Sequence, residues 1–307
     1  MSLFNNYESA GSGISKYAPK KTGIALYFDL FFRKVWSLTG LTMLLFIFIL
    51  PAYIAFFSLY YIKNFNAAMI VSGITFLIFA VTIGPGIAGM TKVIRLFLIE
   101  KHSFVIRDFF KGFKENFFRG AVVGIIDIVA VMSAFSSYKL YPMWAAKYES
   151  VLFYVPMVIS LAVALVILIM NYYIFPMMVA TDLSMKNLLK NSFALAFVSI
   201  KQNLINTLML LFFMVIMSIF LLYTTPMFFI IVPFFPAGIA WFTVCFNSYP
   251  IIQKYVINPY YDSIGEVNPE LAGDVDDNDP EEAIFEDMGG KEKPIEKRKK
   301  GKGKRIS

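Results

Sequence analysis

Six times along its length this chain strings together enough apolar residues to cross a lipid bilayer, which leaves little choice of fold. A hydrocarbon core about 30 Å thick needs about 20 helical residues at 1.5 Å rise each. The apolar runs lie at roughly 38–62, 66–86, 120–138, 151–180, 203–223 and 227–249. Hydrophobic residues make up 58% of the 307, including 33 Phe, too many for a soluble domain of this length. The sequence therefore predicts an all-α polytopic membrane protein with about six transmembrane helices. The fourth run is long, and Pro156 and Pro176 predict that it bends or extends into the interface. The first run begins only near Leu38, after a polar lead without a small-residue cleavage site. It reads as a retained anchor, not a signal peptide.

The net charge of +7 conceals three regions. Residues 1–261 hold 19 Lys and Arg against 8 Asp and Glu. From Asp262 to Asp287 every charged residue is acidic, and from Lys291 to Arg305 the chain is strongly basic. Few apolar residues interrupt these blocks, so burial cannot offset the entropy of ordering them. The expected division is a membrane domain over 1–261 with an N-terminal cytoplasmic lead, and a disordered cytoplasmic tail over 262–307.

Charge also sets the expected topology. Up to residue 261, sixteen Lys and Arg fall in segments 1–37, 92–119, 182–201 and just after the sixth run. The alternate loops hold three, namely Lys63, Lys139 and Lys147. The positive-inside rule then places both termini in the cytoplasm. Tyr60, Tyr61, Tyr138, Tyr141 and Trp144 gather at the opposite boundary, as an aromatic belt does.

Each pair of runs is preceded by a segment of helical periodicity. The first sets Ile24, Tyr27, Phe28, Phe31 and Val35 on one face. The second sets Ile106, Phe109, Phe110, Phe113 and Phe117 against Arg107, Asp108, Lys111, Lys114 and Glu115. The third sets Met185, Leu189, Phe193, Ala196 and Ile200 against Lys186, Asn187, Lys190 and Asn191. Such spacing predicts interfacial amphipathic helices whose apolar sides lie at the headgroup boundary. The second and third also end alike, in Lys114-Glu115-Asn116-Phe117 and Lys201-Gln202-Asn203-Leu204, which suggests a threefold repeat.

A block of about forty residues carries a resemblance. It contains Gly84-Pro85 followed by Ala88-Gly89, then Arg95 and Glu100-Lys101-His102-Ser103-Phe104. Asp108-Phe109 and Lys114-Glu115-Asn116-Phe117 complete it. The block closely resembles the YesL-like family of bacterial membrane proteins, a domain of unknown function. Elsewhere over 24–250 the likeness is in hydropathy and span layout alone. The resemblance implies a bacterial cytoplasmic-membrane location and an accessory role near carbohydrate uptake systems. It does not cover the charged tail.

Few residues suggest chemistry. Cys245 is the only cysteine and His102 the only histidine, which excludes a disulfide framework and Cys- or His-based metal sites. Without a Ser/His pair or phosphate loop, the chain reads as non-enzymatic and without a cofactor. His102, beside Glu100 and Lys101, reads as a surface residue. Gly84-Pro85-Gly86 predicts a helix break, either ending a span at the interface or exposing carbonyls as transporters do. Gly86 and Gly89 favour close helix approach. Asp127 is the acidic residue well inside a span, on one face with Gly120, Gly124 and Ala134. A charged Asp at mid-membrane costs about 2.5–3.5 kcal/mol, which calls for a partner or protonation. Asp127 lies about 10 Å inside its span and Asn171 about 13 Å inside the next, so an antiparallel hairpin would pair them. Lys297, Arg298, Lys299 and Lys300 are expected to contact anionic lipid or the acidic block, not nucleic acid. The expected function is accessory or interactive, with the bilayer and a sugar-transporter component as partners. The alternative is a small secondary transporter or channel using Asp127 and the Gly-Pro-Gly break.

Overall fold

Helix length is where the apolar runs and the folded chain first diverge. The structure is a computed structural model that describes residues 21–223, 232, 237–266, 268 and 270. Helix α1 (Gly23–Tyr61) has 39 residues and α2 (Phe65–Leu98) has 34. At 1.5 Å per residue both exceed 50 Å, well beyond a core of about 30 Å. The first two apolar runs are thus the membrane-deep parts of helices that continue out of the core. The first amphipathic segment is therefore not a separate helix. Nothing between Val35 and Leu38 caps or breaks the chain, so it runs directly into the span.

Gly84-Pro85-Gly86 does not break α2 either. Proline removes one backbone donor, but the helix continues to Leu98. The glycines serve packing instead. A Cβ on Gly84 would stand 1.9 Å from the Gly120 carbonyl oxygen, and one on Gly120 would stand 2.7 Å from the Pro85 nitrogen. The backbones of α2 and α4 (Phe117–Lys147) touch directly there.

The second and third amphipathic segments do stand alone, as α3 (Val105–Glu115) and α6 (Met185–Val198). In α3, Phe109 is buried while Ile106, Phe110, Lys111 and Lys114 are exposed. In α6 the buried stripe is Leu188, Ser192, Leu195 and Ala196, and Phe193 faces outward. Of the expected apolar face, Phe193 and Ile200 are exposed, Met185 and Leu189 pack partly against the core, and Ala196 is buried, so α6 is apolar on its outer as well as its inner side. Asn116 joins α3 to α4, and its Nδ2 donates to the Gly112 carbonyl. Asn203 does similar work for α6, donating to the Ala196 carbonyl at 2.8 Å.

After α4, a 3-10 turn at Val151–Phe153 leads into α5 (Tyr154–Ala180). Beyond α6 come α7 (Ile200–Tyr223), α8 (Ala237–Ile252), a π turn at Gln253–Ile257 and α9 (Asn258–Ile264). There is no strand among the described residues. The protein is an all-α polytopic membrane protein. Five helices, α1, α2, α4, α5 with its 3-10 turn, and α7, are long and apolar enough to cross a membrane. Much of the expected sixth span lies outside the described residues, and α8 is its described part. The 261/262 division falls inside α9.

Helix α7 displays the membrane pattern most plainly. Its buried residues are Asn203 and Asn206, whereas Leu204, Leu208, Phe212 and Ile219 are exposed. Apolar groups gain nothing by leaving lipid, while polar groups gain partners by facing the bundle. The buried apolar side chains concentrate toward the basic end. Leu38, Ile94, Phe97, Phe109 and Phe242 form one cluster there, and Tyr172, Tyr173, Met177, Tyr249 and Ile252 form another. Helix α5 buries only residues between Tyr172 and Met178.

Candidate functional site

The extension of α2 past Gly86 carries Lys92 and Arg95 out of the apolar span, and Arg95 becomes the centre of a polar site. Tyr249, buried in α8, accepts a hydrogen bond from Arg95 Nε at 2.8 Å. Arg95 Nη1 reaches the Val179 carbonyl at the end of α5. The fourth component arrives from the C-terminal segment. Gly265 ends α9 in the left-handed region, with φ of 73°, which a glycine adopts without a Cβ penalty. The chain then turns back. Buried Asn268 donates to Asn258 Oδ1 at 2.9 Å and accepts from the Glu270 backbone N–H at 3.0 Å.

This places the Glu270 carboxylate against three donor side chains. Arg95 Nη2 forms a salt bridge to it. The Tyr249 hydroxyl donates at 2.7 Å and Gln253 Nε2 at 3.1 Å. Only 8% of the Glu270 side chain is exposed, so an unpaired charge would be costly there. Burial opposes its ionisation, but the Tyr249 hydroxyl, the Arg95 charge and the Gln253 amide outweigh it. They hold the carboxyl below its usual value of 4.5. Around this group is a cavity of about 520 Å³ whose lining includes Lys101, Thr181, Asp182, Tyr260 and Tyr261. Chemically, the arrangement is a socket for a carboxylate.

The second polar feature lies within the membrane, between α4 and α5. Asn171 Nδ2 donates to Asp127 Oδ1 at 2.7 Å. The Asn171 Oδ1 atom is buried with no partner among the described residues. Nearly two turns further along α4, the hydroxyls of Ser133 and Ser160 lie 3.2 Å apart across the same interface. These bonds join adjacent helices of one hairpin. Other polar side chains tie further helices together: Tyr173 of α5 to Asn203 of α7, Asn206 of α7 to Ser248 of α8, and Trp241 of α8 to Thr91 of α2.

The remaining sequence candidates fall elsewhere. Gly84, Pro85 and Gly86 form packing surface, as described above. His102 is exposed, with its ring edge-on to Phe104. The turn it occupies is tied to α1 by an ion pair between Arg33 and Glu100. Lys297, Arg298, Lys299 and Lys300 lie outside the described residues.

Sequence reasoning did not single out Tyr249, Gln253 or Glu270, and it met Arg95 only within the resembling block. Arg95 is 154 residues from Tyr249 and 175 from Glu270. No local spacing connects them. The available signal was an Arg that continues the α2 helix one turn past Thr91, where it leaves the apolar span with a charge to satisfy. Compared with family models, curated proteins and solved structures, the chain matches none.

Proposed function

We propose that this protein is a multi-pass component of the bacterial cytoplasmic membrane with both termini in the cytoplasm. Its role in this reading is non-enzymatic, as an accessory or interaction protein near a carbohydrate uptake system. Location and uptake follow from the resemblance to the YesL-like family, and the termini from the sixteen-to-three distribution of Lys and Arg. The observation that carries the interaction role is the polar cavity at the basic end. Its strongest cation, Arg95, is engaged by the chain's own Glu270 in a geometry suited to holding polypeptide. The surrounding bilayer is the other partner, met by exposed Phe110, Phe193 and Phe197 beside Lys111 and Lys190.

Transport is the second reading, and the observation favouring it is Asp127, a carboxylate inside a span. The two readings separate in one pair of experiments. Purification from native membranes in mild detergent is expected to bring a transporter component with the protein. Reconstitution into liposomes is expected to give no solute flux above empty vesicles. Flux that disappears with Asp127→Asn, together with no co-purifying protein, would replace the interaction role with transport.

A further inference from the structure

The Arg95 site is built from parts that do not depend on Glu270. Arg95 belongs to α2, Tyr249 to α8 and Gln253 to the π turn, and the Val179 carbonyl helps to hold the guanidinium. By contrast, the segment that brings Glu270 is thinly attached. Helix α9 buries none of its residues completely, and only Tyr261 packs against the neighbouring core, so the described part of the segment is secured mainly through Tyr261, Asn268 and Glu270. The cavity is also larger than one carboxylate requires, and it offers a second cation in Lys101 and two aromatic walls in Tyr260 and Tyr261. A firmly built receptor, a weakly anchored occupant and spare room beside it describe an exchangeable site.

We propose that the Arg95–Tyr249–Gln253 socket is a docking site for an acidic polypeptide segment, which Glu270 fills in cis. A carboxylate side chain of a partner protein takes the same place when Glu270 leaves. The proposal rests on the interaction role above and gives it a site and a partner chemistry. Polypeptide is favoured over a free anion because the occupant seen is a side chain anchored through its own backbone. The Glu270 N–H is held by Asn268, and a guanidinium, a hydroxyl and an amide meet the carboxylate. Exchange in cis is also competitive. A short tether gives Glu270 an effective concentration in the millimolar range, which suppresses a partner of similar intrinsic affinity.

The test uses the full chain in phosphatidylcholine nanodiscs and a fluorescent peptide copying residues 266–274. Removing the competitor with Glu270→Gln is expected to tighten peptide binding on the order of 10-fold relative to wild type. A peptide carrying Gln at position 270 is expected to lose a similar factor, since it cannot pair with Arg95. Adding Tyr249→Phe to the Glu270→Gln protein is expected to weaken binding several-fold, with Arg95→Lys replacing it if circular dichroism shows misfolding. Equal binding by wild type and Glu270→Gln, equal binding of the Glu and Gln peptides, or no binding at all would overturn the socket. Inorganic phosphate displacing the peptide from Glu270→Gln at equal concentration would also overturn it, in favour of a small-anion site. Co-purification keeps the two claims distinct. A native partner retained equally by wild type and Glu270→Gln leaves the interaction role standing and removes the socket. Peptide binding without any native partner does the reverse.

Discussion

Two carboxylates, Asp127 and Glu270, meet burial in different ways. Glu270 gathers a cation and two neutral donors, so its ionised form is the favoured one. A depressed pKa means that its contribution is present above the ordinary value of 4.5 and is lost as pH falls through its lower folded value. A spin label at exposed Ser263 is therefore expected to be immobile at pH 7 and to become mobile only in acid below the ordinary glutamate range. With Glu270→Gln it is expected to be mobile at every pH. A label that ignores both pH and the substitution would show that Glu270 does not hold the segment. Asp127 has one described partner, and that partner's own acceptor has none among the described residues. Asp127→Asn retains a side chain that can accept from Asn171 and is expected to unfold in detergent nearly as wild type does. Asp127→Leu strands the Asn171 amide and is expected to cost about 0.6–2 kcal/mol. Depth arithmetic from the sequence is enough to bring Asp127 and Asn171 together, because both lie inside adjacent spans. Nothing comparable links Arg95 to Glu270, whose meeting depends on the chain reversing at Gly265.

Among the elements, the segments that proved readable are those with an amphipathic period and a break at each end. Helix α3 is bounded by Phe104 and Asn116, and α6 by Ser184 and Ser199, where the Ser184 hydroxyl accepts from the Asn187 N–H. The first amphipathic segment has the period but no C-terminal stop, so it continues as α1. Pro85 misleads in the opposite direction. Read locally it is a breaker, but Gly84 beside it lets α2 and α4 meet backbone to backbone at Gly120 and Gly124, and that contact is long-range information. The packing reading makes a sharp prediction. Gly84→Ala drives a methyl group into the Gly120 carbonyl and is expected to destabilise by about 1–3 kcal/mol. Gly73→Ala, on the same helix, meets nothing within 4 Å and is expected to be neutral or to gain up to about 1 kcal/mol. Thermal unfolding of the two variants in one detergent compares them directly. Equal effects would mean that the α2–α4 contact is looser than the structure places it.

For the whole molecule, the long helices, the buried polar locks and the charged groups all point to the same end of the bundle. The densest cores, the Arg95 site and the solvent-facing sides of α3 and α6 lie where Lys and Arg are most frequent. At the opposite ends of α1 and α4, the described aromatic pairs include Tyr60 with Tyr61 and Tyr141 with Trp144. Such a dipolar layout is expected of a chain inserted with its basic face toward the cytoplasm. Orientation can be tested with little background, because the single native cysteine, Cys245, is only 1% exposed. Lys147, Lys111 and Lys190 are all exposed, so each tolerates replacement by cysteine without loss of packing. In intact cells, an impermeant maleimide is expected to label Lys147→Cys, at the far end of α4. Lys111→Cys on α3 and Lys190→Cys on α6 are expected to react only after the membrane is opened. Labelling of Lys111→Cys from outside would invert the molecule and place the Arg95 socket on the extracytoplasmic face. Any partner docking there would then have to approach from outside the cell.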